Sequence, residues 1–373
     1  MTSLYDPFEM GPFKLRHRIA MAPMTRCRAG EGDTATALMA LHYRQRSSPG
    51  GLVIIEAAPI SKRGVGHHRT PGIYTDEQTE SWKQVVDAVH AEGGIIFLQL
   101  WHVGRRTGPE YQVDGGLGVA PSAVPDMGSE RFGFRSYPMP RALDIGEIPG
   151  IVDEYRQAAR RSRDAGFDGI EIHGAHGYLP DQFLNPHSNK RTDRYGGSAE
   201  NRARFLLEVT DACIAEMGPG RVGVRVSPGG KVGDMDDPDP ASTFGHVAEQ
   251  LNHRDIAYFH VIEPRVYSSF EQDEGAPPVA ARQLRRIYRG PIIAAGGYKR
   301  ESAEAIVEEG AADIVAFGRY FTSNPDLPLR LRDQIPLAPY DRSTFYKGEE
   351  TGYVDFAPAA RSPEPHGAGG IHR

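Results

Sequence analysis

Along the chain, short apolar runs alternate with longer stretches in which apolar residues recur every three or four positions. Eight runs of aliphatic and β-branched residues bounded by turn formers predict strands at 19–22, 52–56, 94–100, 169–173, 222–226, 257–262, 291–294 and 313–317. Most are apolar throughout rather than alternating, the mark of parallel strands covered on both faces. Helical periodicity predicts helices over 76–92, 151–165, 198–217, 241–253, 279–288 and 300–309. The first opens after Thr75 as N-cap and sets Trp82, Val85, Val86 and Val89 on one face. Eight strand–helix alternations without a second core pattern predict an α/β fold: a single (β/α)8 TIM barrel over residues 1–356. The alternative, a doubly wound open sheet, needs a G-x-G-x-x-G fingerprint after an early strand, and none stands there.

Composition adds one feature. The 373 residues include 43 Gly and 29 Pro, an excess that disorder or a many-looped rigid scaffold would each produce. Only the tail, 357–373, reads as disordered. The other Gly and Pro punctuate strand ends and two inserts. Residues 107–144 are too long for one helix and lack sustained periodicity, so they predict a lid insertion after the third strand, over the barrel mouth. A second insert spans 228–240. The net charge of −6 lacks the basic balance of a nucleic-acid binder. No apolar run approaches the roughly 18 residues of a membrane span. The first ten residues carry Asp6 and Glu9 and no apolar h-region, which argues against a secretory signal. With only Cys27 and Cys213 in the chain, the expected location is the cytoplasm.

In such a barrel the chemistry gathers at the carboxyl ends of the strands. Pro23, Thr25 and Arg26 follow the first strand, Glu56 and Ala57 end the second, and Gln99, Trp101 and His102 the third. The fourth delivers His173, His176 and Tyr178, and the fifth contains Arg225. Gly296-Gly297-Tyr298 and Gly318-Arg319 close the seventh and eighth. Those last two loops commonly bind phosphate through backbone N–H groups, and Arg319 adds a fixed cation. His173 and His176 are zinc-ligand types, but no third ligand motif or HExxH accompanies them, so no metal is expected. Two neutral imidazoles can instead donate to a substrate oxygen that gains negative charge. Tyr178 is a weak acid suited to delivering a proton to carbon. The absence of lysine from the strand ends weighs against Schiff-base chemistry, and Cys27 reads as a bystander.

The segments Ala22-Pro-Met-Thr-Arg26, Gln99-Leu-Trp-His-Val-Gly-Arg105, His173-Gly-Ala-His-Gly-Tyr-Leu179, Gln182-Phe-Leu-Asn-Pro186, Asn189-Lys-Arg-Thr-Asp-Arg-Tyr-Gly-Gly197, Arg225-Val-Ser-Pro228 and Phe317-Gly-Arg-Tyr320 resemble the old yellow enzyme family of flavin-dependent ene-reductases. The resemblance runs from about Tyr5 to Phe356. It implies FMN held noncovalently across the barrel mouth, with NADPH or NADH as reductant. Thr25 would then donate to the flavin O4, Gln99 contact the pyrimidine edge and Arg225 lie near N1 and O2. Backbone groups of Pro23 and Ala57 would complete the ring site, and Gly296, Gly297, Gly318 and Arg319 would cradle the phosphate.

The resemblance further implies a ping-pong reduction of a small α,β-unsaturated substrate. His173 and His176 would bind its carbonyl or nitro oxygen, flavin N5 would deliver hydride to the β-carbon, and Tyr178 would protonate the α-carbon. Trp101, Tyr353 and His67 would shape the substrate pocket; His67 stands where the family often places a tyrosine. Thr25 resembles the branch with Thr rather than Cys beside the flavin, and His176 stands where many relatives carry Asn. Two alternatives stay open: a flavin-dependent isomerase or oxidase acting on a biosynthetic intermediate, and a metal-dependent barrel hydrolase. Neither nucleic acid nor membrane is an expected partner, and the protein is a monomer or homodimer.

Overall fold

Buried on both faces, the eight apolar runs have one way to satisfy their backbone groups without leaving an edge, which is to close on themselves. A computed structural model, describing residues 2–128, 133, 135–267, 270–271 and 280–359, shows that closure. The parallel strands are β1 (Ile19–Met21), β2 (Leu52–Pro59), β3 (Ile95–Trp101), β4 (Gly169–Gly174), β5 (Val222–Val226), β6 (Tyr258–Ile262), β7 (Ile292–Ala295) and β8 (Ile314–Phe317). Each pairs with its successor, and β8 returns to β1 through Phe317 opposite Met21. The expected (β/α)8 barrel is therefore observed, with strand ends within a residue or two except in β2.

The helices run in the same order. They are α1 (Ala37–Gln45), α2 (Asp76–His90), α3 (Ile148–Asp164), α4 (Leu179–Leu184), α5 (Ala199–Met217), α6 (Pro240–Leu251), α7 (Ala281–Leu284), α8 (Arg300–Glu308), α9 (Arg319–Ser323) and α10 (Leu327–Asp333). Alternation along the strands sorts the core into two layers. Val53, Ile55, Ile96 and Leu98 face outward onto the helices, among them Trp82, Val85, Val86 and Val89 of α2. Leu52, Ile54 and Phe97 face inward, where a hairpin of Phe8–Met10 and Phe13–Leu15 packs Met10, Phe13 and Leu15 against them. The ring of Phe13 meets Phe97 edge-on at 5.5 Å, so the apolar hairpin stops one end of the barrel.

Helices α2, α3, α5, α6 and α8 match the periodicity. The helix expected over 279–288 is confined to α7 and a following turn, where Arg285 N–H reaches Ala281 O and Tyr288 N–H reaches Leu284 O. Short α1, α4, α9 and α10 and the hairpin were not apparent from periodicity. Within the 107–144 insert, Val119–Ala120 pairs in parallel with Arg141–Ala142. The 228–240 insert meets it through Met127 N–H and the Asp234 carboxylate, and Asp239 caps α6 by accepting from Ser242 N–H at 3.1 Å. Residues 360–373 of the tail expected to be disordered lie outside the described residues.

Candidate active site

At the carboxyl end of the strands lies a cavity of about 410 Å³, within the range of cofactor and small-molecule sites. Pro23, Thr25, Ala57, His67, Gln99, Trp101, His173, His176, Tyr178, Arg225, Gly296, Gly297, Gly318 and Arg319 all line it. Residues at or just beyond the ends of seven strands thus meet because one closed sheet carries them. Ala57 gets there through a bulge. Ile55 pairs with Leu98, but Ala57 pairs with Gln99, so Glu56 is the extra residue. Glu56 accepts from Tyr43 Oη at 3.0 Å and from Arg26 N–H at 3.2 Å. Burial pushes its carboxyl up to about 7.

The β3–β5 side of the mouth is built from side chains. The His173 and His176 rings stand 5.6 Å apart, and the Tyr178 ring lies 4.9 Å from His173. Trp101 meets Tyr178 edge-on at 5.0 Å, and His67 stacks on Trp101 at 5.7 Å. His173 Nδ1, His176 Nε2, Trp101 Nε1 and Arg225 Nε are buried and make no hydrogen bond among the described residues. Buried polar atoms of this kind call for a partner. Burial, reinforced by Arg225, holds both imidazoles well below the ordinary histidine range, so they are neutral. Burial likewise pushes the Tyr178 phenol up to about 12, against the pull of the Arg106 guanidinium 5.4 Å from its ring centroid. The phenol keeps its proton at neutral pH.

His176 is held in an uncommon backbone state, φ 56°. Its N–H donates to Ser227 Oγ at 3.0 Å, and its carbonyl accepts from Arg106 Nη1 at 2.7 Å. Asp181 accepts from the next N–H, that of Gly177, at 2.8 Å. Arg106 pairs with buried Asp126 at 3.0 Å and also faces the Tyr137 ring of the 107–144 insert. None of the described residues of that insert lines the cavity.

Across the barrel, the β7–β8 side is built from backbone. Gly296 has φ +107°, and a Cβ there would lie 3.2 Å from Glu263 N and 3.1 Å from Val266 Cγ2. Gly297 has φ +68°, and a Cβ on Gly318 would lie 3.2 Å from Met24 Sδ. Arg319 reaches Tyr340 Oη at 3.3 Å.

Tyr353 corrects the sequence-based expectation. It is fully buried away from the cavity, stacked on His42 at 3.8 Å and flanked by the guanidiniums of Arg26 and Arg28. Phe345 and Tyr346, from the same C-terminal segment, line the cavity instead. The path of that segment is set by three arginines that bond its carbonyls. Arg26 holds Phe345 O and Gly352 O, Arg28 holds Thr344 O and Phe345 O, and Arg46 holds Tyr353 O. His68, Met24 and Tyr298 also line the cavity, although the sequence reading gave none of them a role there.

The residues fit a noncovalent flavin: unpartnered donors on one side, glycines that admit close approach on the other. Residues 3–338 match the model of the NADH:flavin oxidoreductase / NADH oxidase family. This chain belongs to that family. As an old yellow enzyme-type, NAD(P)H-dependent flavin oxidoreductase, it uses noncovalent FMN. It is 46% identical over 357 residues to 12-oxophytodienoate reductase 1 of Oryza sativa subsp. japonica, covering 95% of this chain and 92% of that one. It is 44% identical over 357 residues to 12-oxophytodienoate reductase 2 of Arabidopsis thaliana, covering 95% of each chain. Among solved structures, morphinone reductase in complex with tetrahydroNAD shares 44% identity with a TM-score of 0.89, covering 96% of this chain and 98% of that one. The old yellow enzyme homologue from Zymomonas mobilis shares 40% identity with a TM-score of 0.90, covering 96% of this chain and all of the other. No helix among the described residues is long and apolar enough to cross a membrane.

Proposed function

We propose that the enzyme reduces electron-poor C=C bonds of small molecules (enones, enals and nitroalkenes) with NAD(P)H in a ping-pong cycle. The observation that carries this reading is the group of two neutral, unpartnered imidazoles and a protonated phenol on one wall of the cavity. A bound flavin would supply the hydride chemistry that links NAD(P)H to the alkene. His173 and His176 donate to the carbonyl or nitro oxygen of the substrate, and they stabilise the charge that develops there without first losing a proton of their own. Tyr178 delivers the proton to the α-carbon; its raised pKa means that it loses that proton only to a strongly basic carbon. Trp101 and His67 bound the space beside it.

For the ring site, Thr25 would donate to O4, Gln99 would meet the pyrimidine edge, and Arg225 would lie near N1 and O2, where its cation would favour negative charge. Pro23 and Ala57 supply backbone contacts. Gly296, Gly297, Gly318 and Arg319 hold the phosphate through backbone N–H groups and one guanidinium. The names of the relatives describe reductases, which supports reduction over isomerisation. Anaerobic turnover with NADPH and a simple enone tests the reading. Stoichiometric loss of NADPH with saturated product is expected. Rearranged product without NADPH loss would replace it with the isomerase alternative.

A further inference from the structure

Below the rim, three polar side chains are buried together inside the barrel. Gln99 of β3 donates through Nε2 to Glu171 Oε1 of β4 at 2.7 Å, and Glu171 Oε2 pairs with His260 Nδ1 of β6 at 2.7 Å. Glu171 and His260 are fully buried, and Gln99 is exposed only where it lines the cavity. Strand register builds the cluster. Gln99 stands opposite Glu171, and Arg225 stands opposite both His173 and His260.

The two sides of an amide differ chemically, and a neighbour decides which way it faces. An ionised carboxylate only accepts, so Glu171 must take the amide nitrogen of Gln99, never its oxygen. Burial raises the cost of that charge, yet His260, Arg225 and the Gln99 amide together hold the Glu171 carboxyl below its ordinary range. Burial also lowers His260, so it serves as a neutral imidazole that donates through Nδ1. Gln99 is thereby left with its oxygen and one N–H for the cavity. The pyrimidine edge of a flavin offers acceptor, N3–H donor, acceptor. An amide oxygen suits the N3–H; a turned amide would set donor against donor.

We infer that Glu171, held in place by His260, is a positioning residue that fixes the Gln99 amide with its oxygen toward the flavin N3–H and its spare N–H toward a flanking carbonyl. This rests on the ring placement proposed above. It makes the flavin site selective for an unsubstituted N3. It also sets a buried anion one side chain behind the ring, opposing electron gain that Arg225 favours.

Three proteins and two flavins test it: wild type, Glu171→Gln and Gln99→Ala, titrated with FMN and with 3-methyl-FMN by fluorescence, with midpoint potentials of the FMN-loaded forms. Wild type should bind FMN more tightly than 3-methyl-FMN by about tenfold or more, the scale of one lost hydrogen bond that leaves a buried group unpaired. Glu171→Gln can accept from or donate to Gln99, so the amide turns both ways. Its FMN affinity should fall by several-fold, its preference between the two flavins should shrink, and its potential should rise as the anion disappears. Equal affinities for the two flavins in the wild-type protein would overturn the inference without recourse to any variant. Gln99→Ala unchanged in affinity and selectivity would overturn the ring placement, and the inference with it. Loss in Gln99→Ala alongside undiminished selectivity and an unmoved potential in Glu171→Gln would overturn the role of Glu171 alone.

Discussion

The two sides of the barrel mouth work by opposite means. The β3–β5 side presents side chains, with imidazole, indole and guanidinium nitrogens buried and without a hydrogen-bond partner among the described residues. The β7–β8 side presents main chain, at glycines where a left-handed φ or a close neighbour disfavours a Cβ. A side-chain wall is specific about charge and protons, because each neutral or ionised group is set by its burial. A main-chain wall is specific about shape, because what it offers is approach and N–H groups that no titration alters. Chemistry and cofactor retention should therefore respond to different substitutions.

The largest effect should come from Tyr178→Phe, which should slow the oxidative half-reaction with an enone by about a hundred- to ten-thousandfold. Flavin reduction by NAD(P)H in the same protein should stay within about twofold of wild type, since no proton donor is needed there. Stopped-flow absorbance resolves the two steps, and equal slowing of both would remove the proton-donor role. His173→Ala and His176→Ala should each lower kcat/KM for the enone by about a hundredfold to a thousandfold while FMN content is retained. If either variant loses flavin in proportion to activity, the separation of the two sides fails.

Gly296→Ala should do the reverse. It forces a residue to φ +107° and a Cβ to 3.2 Å from Glu263 N, a strain of about 1–3 kcal/mol. FMN should dissociate more readily, while turnover per bound flavin stays near wild type; flavin fluorescence against activity checks it. The smallest effect concerns Glu56, which belongs to neither side. Its folded pKa of about 7 lies above the ordinary 4.5, so protonation favours the folded state. That contribution is complete below the unfolded pKa and is lost as pH rises through about 7. Glu56→Gln should therefore gain on wild type from about pH 5 to about pH 8, on the order of a few degrees in Tm. Thermal melts that run parallel across this range would show that the carboxyl is not raised.

Much of this was legible in the sequence because strands buried on both faces read as unbroken apolar runs, and because the ends of those runs carry the chemistry. The rest depended on contacts between distant segments. β2 runs on to Pro59 past a bulge at Glu56, whose carboxylate accepts from Tyr43 of α1, a contact that no local pattern signals. Which C-terminal aromatic reaches the cavity is decided by where Arg26, Arg28 and Arg46 grip the chain, so the family resemblance pointed to Tyr353 where the structure has Phe345 and Tyr346. Glu171 and His260 did leave a signal. Each is a polar residue flanked by apolar ones in a buried strand, Glu171 between Ile170 and Ile172 and His260 between Phe259 and Val261, and such residues are rarely buried without a partner.

The arginine grip on residues 344–353 also has a bearing on the order of assembly. All the groups proposed for proton transfer and oxyanion binding come from β4 and the loop that follows it, yet part of the cavity wall is Phe345 and Tyr346, which follow the last strand. The guanidiniums that receive this segment come from near the first strand and α1, so a stretch that follows the last strand must dock against residues that follow the first. A closed barrel with every reactive side chain in place would still have an open flank until that docking occurs. Completion of the site is therefore tied to a segment made after the whole barrel.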